Sequence, residues 1–152
     1  MGDTNKNGSP AAREQVTSTG VVKVSADELT LGKGESGTAN VRLQIQPGYH
    51  VNANPATFRY LIATQLEITP AAGVSVDFVT YPDPLTKTFS FSADAPLKVY
   101  EGETIVKAML KADGSAQTGK HNLSAKLRVQ ACDDKVCYAP GALDVTVPVN
   151  VK

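Results

Sequence analysis

Residues 122–151 read NLSAKLRVQACDDKVCYAPGALDVTVPVNV, and they hold both cysteines of the 152-residue chain, Cys132 and Cys137. Before the cysteines NLSAKLRVQA (122–131), and after them ALDVTVPVNV (142–151), alternate apolar with polar residues. Successive side chains of a β-strand point to opposite faces, so a period of two marks a strand with one face buried. Paired as antiparallel neighbours, these two strands place CDDKVC in the connection between them, near a sheet end. Opposed residues on such strands lie about 4.5 to 5.5 Å apart at Cα, within the range a disulfide tolerates.

The same alternation recurs outward from this run. It appears in Val22 with Val24, Leu29 with Leu31, NVRLQIQ (40–46), QLEIT (65–69), VSVDFVT (74–80), KTFSF (87–91) and ETIVKAML (103–110). The pattern predicts about nine strands. Turn-forming clusters divide them: GKGESG (32–37), QPG (46–48), TPAAG (69–73), YPDP (81–84) and KADGSAQTGK (111–120). No long stretch keeps a helical period. Short strands without intervening helices predict an all-β fold, an immunoglobulin-like antiparallel β-sandwich, with a barrel as the alternative. Only the architecture is immunoglobulin-like, because the inter-sheet cysteine pair is absent and the chain has no Trp. Residues 1–18 are polar and rich in small side chains, which predicts a flexible leader ahead of one domain over 19–152.

Fifteen basic residues balance fifteen acidic ones. No global field therefore draws nucleic acid or an anionic membrane surface, and both partner classes are set aside. No apolar run approaches the roughly 20 residues that span a bilayer. The opening MGDTNKNGSPAAREQ lacks the apolar centre of a signal peptide. It reads either as a processed N-terminus behind an added Met1 or as a native start.

The cysteine pair carries the chemistry. As an inert bridge it would close a six-residue ring, worth only roughly 2 kcal/mol in the loop-entropy account. A short ring in an exposed loop instead leaves its sulfurs open to exchange with another protein. Spacing alone leaves both readings standing. A structural zinc site needs four ligands, and the remaining soft candidates, His50 and His121, lie in separate parts of the chain, so no metal is expected. Cysteine-protease chemistry needs a base against the thiol, and none stands near the cysteines in sequence. Asp133 and Asp134 outweigh Lys135, and this negative loop disfavours thiolate and slows unguided exchange. No carboxylate pair marks a glycosidase.

The run LRVQACDDKVCYAPGALDVTVPV (127–149), with GYHVNANPA (48–56), YLIAT (60–64), YPDP (81–84) and VYEGE (99–103), resembles the N-terminal periplasmic domain of the DsbD family of thiol:disulfide interchange proteins. The resemblance spans about residues 20 to 152. It implies an immunoglobulin-like sandwich that shuttles electrons through its two cysteines without a bound cofactor. It implies a thioredoxin-like donor domain, and as acceptors a periplasmic disulfide isomerase or other thioredoxin-like proteins of the bacterial periplasm or cell envelope, met by a monomer. The family adds a membrane-embedded cysteine domain and a thioredoxin-like domain, and this chain shows no membrane span and no CxxC.

By position, Cys137 resembles the cysteine that forms the mixed disulfide and Cys132 the one that resolves it. Gln130, Tyr138 and Pro140 match residues flanking the pair, and His50 and Asn52 fall where aromatic residues line the site in better-known members. Phe89 and Phe91 are candidates for the family's aromatic cap, although their spacing fits two core residues of a strand better. Three positions depart from the family: four residues between the cysteines instead of five, Ala139 where a first proline is common, and Val129 in place of a frequent tyrosine. The alternative to a redox relay is a β-sandwich binding module with a permanent disulfide.

Overall fold

The structure is a computed structural model describing residues 16–152. Among these residues the chain runs through β1 (Val22–Ala26), β2 (Leu29–Leu31), β3 (Ser36–Ile45), β4 (His50–Asn52), β5 (Gln65–Ile68) and β6 (Val74–Thr80). It continues through β7 (Leu85–Lys87), β8 (Leu97–Tyr100), β9 (Glu103–Ala112), β10 (Gly119–Val129), β11 (Ala131–Cys132) and β12 (Gly141–Val151). Three four-stranded sheets result, ordered β1-β3-β9-β6, β2-β12-β10-β5 and β11-β4-β8-β7.

The first two sheets form the expected immunoglobulin-like sandwich. In β10 the buried residues are Leu123, Ala125, Leu127 and Val129, and in β12 they are Val145, Val147, Val149 and Val151. They share one core cluster with Val41 and Leu43 of β3 and Val106 and Leu110 of β9. Each fully buried Val or Leu contributes about 1.5–3 kcal/mol, so this double layer dominates the stability of the molecule. β10 and β12 pair antiparallel along their whole length, from Gly119 opposite Val151 to Val129 opposite Gly141. The connection between them, residues 130–140, therefore leaves from the end of the longest ladder.

The sheets are not wholly antiparallel, because β2 joins the edge of β12 in parallel. After β1 the chain crosses from the first sheet to the second and reaches that edge running the same way as β12. The strand expected over KTFSF (87–91) is also corrected. β7 stops at Lys87, and Ser90–Ser92 form a 3-10 turn. The alternation of Phe and Ser there comes from a turn whose serine bonds to another loop, described below. Strands β4, β8 and β11 were not foreseen. β4 is buried at all three residues, so it shows no alternation to read. Ser18, at the end of the expected leader, is 1% exposed, and Val16 packs on the main core. Residues 1–15 lie outside the described residues.

Candidate functional site

Past Val129 the chain leaves the second sheet and enters the third. Ala131 pairs with Val51 and Cys132 with His50. The segment then folds back on itself: Asp133 N donates to Val136 O at 2.9 Å and Tyr138 N to Ala131 O at 2.9 Å. Cys132 and Cys137 face each other between these bonds and form a disulfide, with Cα atoms 3.9 Å apart. This is closer than expected for residues opposed across β10 and β12. The cysteines instead oppose each other within their own hairpin, whose tip is Asp134–Lys135.

Asp133 sets that turn. Its Oδ1 accepts from Lys135 N at 2.7 Å and Val136 N at 2.8 Å, the local side-chain bonding that makes aspartate a turn former. Its Oδ2 accepts from the Tyr138 hydroxyl at 2.5 Å. The tyrosine bond, then the two amides, hold the Asp133 carboxyl below its usual range, and the same bond pushes the Tyr138 phenol up to about 12. Asp133 is thus anionic and Tyr138 neutral at any ordinary pH.

The neck of the hairpin is tied by polar side chains. Gln130 Oε1 accepts from Asn52 Nδ2 at 3.1 Å and from Ile62 N at 2.9 Å, while its Nε2 donates to Tyr138 O at 3.2 Å. Asn52 is fully buried and also donates to Ile62 O at 3.0 Å. These two sequence-identified residues therefore meet and join β4, the 60–64 segment and the hairpin. Ser18, which sequence reasoning missed, accepts from Ala131 N at 2.9 Å and donates to Ala139 O at 2.6 Å. Pro140 is exposed, just before β12 begins. His121 lies away from this site, its Nε2 2.7 Å from Gln117 O.

Aromatic rings stand beside the hairpin. Phe89 stacks on His50 with centroids 4.0 Å apart, and Phe91 lies 5.7 Å from Phe89 and nearly parallel to it. Phe89 is half-buried against a small cluster of Leu61, Leu97 and Val99, whereas Phe91 is 38% exposed. Neither occupies a strand of the sandwich. Asp134 holds this segment in place: its Oδ2 accepts from the Ser90 hydroxyl at 2.5 Å, and its main-chain oxygen from Ser90 N at 3.1 Å. The Ser90 hydroxyl, and then its amide, keep the Asp134 carboxyl below its usual range. No local signal in the sequence linked Ser90 to Asp134.

The two sulfurs are inequivalent. Cys132 is 0% exposed. Cys137 is half-buried and borders an open, mostly apolar cavity of about 390 Å³ with Tyr60, Leu61, Phe91, Leu97 and Val136. Tyr60 is largely exposed and stacks on Phe58. No base stands near the cysteines in sequence, but the β4–β11 register makes His50 the partner of Cys132. Pairing of distant strands, invisible to local spacing, brings them together.

Comparison with known proteins follows this geometry. The family model for the N-terminal part of the thiol:disulfide interchange protein DsbD matches residues 18–148. Among solved structures, the N-terminal periplasmic domain of ScsB from Proteus mirabilis is similar at 17% identity and a TM-score of 0.55, over 83% of this chain and 44% of that one. At that identity the likeness shows the fold, and the chain spans less than half of that structure's length. A cohesin–dockerin complex from Clostridium thermocellum matches at 9% identity and a TM-score of 0.47, over 91% of this chain and 99% of that one. No curated protein matches in sequence. The family match takes in both cysteines and most of the chain, which therefore belongs to the DsbD N-terminal family of thiol:disulfide interchange domains.

Proposed function

We propose that this domain is an electron relay: Cys132 and Cys137 take reducing equivalents from a thioredoxin-like donor and deliver them to disulfide-bearing proteins of the bacterial periplasm or cell envelope. A periplasmic disulfide isomerase or another thioredoxin-like protein is the acceptor. The observation that carries this reading is the inequivalence of the two sulfurs. Cys137 borders an open apolar cavity where a partner can dock, while Cys132 is sealed behind it.

The cycle follows from that geometry. The Cys137 thiolate attacks one sulfur of the acceptor disulfide, the other acceptor sulfur leaves as a thiolate, and a mixed disulfide forms. Cys132 then attacks Cys137 Sγ, expels the second acceptor sulfur and closes the CDDKVC ring. Two electrons have passed to the acceptor. A dithiol donor reopens the ring by the reverse route. Phe89 and Phe91 serve as the cap, which Asp134 holds over the site until a partner displaces it. The exposed Phe58–Tyr60 pair and Val136 offer the apolar rim on which that partner sits. Among the described residues no helix is long and apolar enough to cross a membrane.

The test is the reduction potential of the pair, by equilibration against thiol buffers with mass-based counting of free thiols. A value between about −270 mV, where thioredoxin lies, and the more oxidising envelope carriers is expected. A value below roughly −300 mV marks a permanent bridge and overturns the relay. Cys132→Ser should accumulate the mixed disulfide with an acceptor, and Cys137→Ser should form none. Equal behaviour of the two variants defeats the assignment of roles.

A further inference from the structure

His50 is 1% exposed, yet its buried Nε2 has no hydrogen-bond partner. A buried polar atom left unpaired is unfavourable, and its explanation can lie in another redox state of the protein. Cys132 is the register partner of His50 across β4 and β11. Directly opposed residues of an antiparallel pair share one face, with Cβ atoms about 4.5–5.5 Å apart. In the disulfide, the Cys132 sulfur has no hydrogen to offer. Reduction turns it into a thiol, which is a donor.

We propose that His50 is the proton acceptor for Cys132, making this buried thiol the nucleophile that releases a bound partner from Cys137. The proposal deepens the relay reading and rests on it. In the step, the proton of Cys132 Sγ–H passes to Nε2, and the resulting thiolate attacks Cys137 Sγ. The Cys132–Cys137 bond forms as the bond from Cys137 to the partner's sulfur breaks. The electron pair leaves on the partner's sulfur, which takes the proton from the imidazolium, and the ring returns to its neutral state.

Two features make an internal acceptor necessary. Cys132 is fully buried, which disfavours its thiolate, and the neighbouring Asp133 and Asp134 carboxylates disfavour it further. The environment of His50 also suits the role. Burial, the largest influence, holds its pKa down to about 4, so the ring is a free base at neutral pH. The charged groups facing it are Glu101 beyond β8, Asp133 and Asp134 on the hairpin, which favour the imidazolium, and Lys87 at the end of β7, which opposes it. Three carboxylates thus stand ready to stabilise the cation at the moment it forms. Phe89, stacked on the ring, contributes no competing donor.

The experiment mixes the fully reduced chain rapidly with Ellman's reagent and follows the release of nitrothiobenzoate. The first release depends on reagent concentration and reports attack by Cys137. The second is independent of it and reports ring closure by Cys132. At pH 7, His50→Gln and His50→Phe should slow the second phase about tenfold or more and change the first by less than about twofold. The second phase of the unsubstituted chain should level off well below pH ~8.5, where an ordinary thiol ionises, while the variants keep rising through that range. An unchanged second phase in both variants overturns the proposal. So does an unsubstituted chain whose closure rises with pH into the ordinary thiol range, whether or not the variants fold. If the unsubstituted chain shows no concentration-independent release at all, exchange itself fails; if closure occurs but ignores His50, only the role of His50 falls.

Discussion

The sandwich and the small third sheet are built on opposite principles. The sandwich is held by a ladder of eleven residue pairs between β10 and β12 and by a core of Val, Leu and Ala. The third sheet has strands of two to four residues, and around it gather four of the five polar residues buried among the described residues: Ser18, His50, Asn52 and Thr64. Apolar burial is non-directional and tolerates small shifts, so it suits a scaffold. Hydrogen bonds between fixed partners demand one geometry, and satisfied networks rigidify what they join. The molecule uses the first kind of force to be stable and the second to place two sulfurs. Stability and reactivity should therefore be separable by mutation.

Leu127→Ala should break the scaffold alone. The side chain is fully buried in the sandwich, and such truncations cost about 2–5 kcal/mol. Urea unfolding should show that loss, while the rate at which dithiothreitol reduces the disulfide of the folded fraction stays as it was. A changed reduction rate would mean that the two regions are coupled through the core.

Acid should act on the third sheet. Folding lowers the His50 pKa from 6.5 to about 4, so between those values the unfolded chain binds a proton that the folded chain refuses. The stability from this group is complete above pH 6.5 and is lost as the pH falls toward 4, on the order of 3 kcal/mol across the window. His50→Phe, which keeps a ring for Phe89 to stack on, should flatten this slope in urea midpoints measured from pH 7 to pH 4. A slope unchanged by the substitution would assign the acid sensitivity elsewhere.

Ser90→Ala should move stability least and reactivity visibly. The bond it removes is exposed, and substitutions at such positions usually stay within about 0.5 kcal/mol. With the hydroxyl's bond to Asp134 gone and only the main-chain bond from Ser90 N left, the Phe89–Phe91 segment should lift more often, and dithiothreitol should reduce the disulfide several-fold faster. An unchanged rate would show that the main-chain bond of Ser90 and the stacking of Phe89 on His50 hold the cover without the hydroxyl.

The strands of the sandwich were legible because each buries one face. β9 and β10 alternate buried and exposed residues over most of their length, and period two is what a sequence displays. β4 was not legible because all of His50, Val51 and Asn52 are buried, and β11 because two residues are too few for any period. In KTFSF the period was present but misleading, since the serine between the two phenylalanines is engaged by Asp134. Of the site, the cysteines announced themselves, and Gln130, Tyr138, His50 and Asn52 came through family resemblance. Ser18 and Ser90 could not, because a serine's hydroxyl gives no local sign of the distant backbone or carboxylate it will meet.

The hairpin closes through its own bonds, Asp133 to Val136 and Ala131 to Tyr138, while its base is fixed by the pairing of Val129 with Gly141. Its tip, Asp134–Lys135, is exposed and belongs to neither long ladder. A residue inserted or lost there changes the size of the disulfide ring without shifting the register of β10 against β12. Ring size and scaffold are therefore set by separate parts of the chain, the one by the hairpin tip and the other by the β10–β12 ladder.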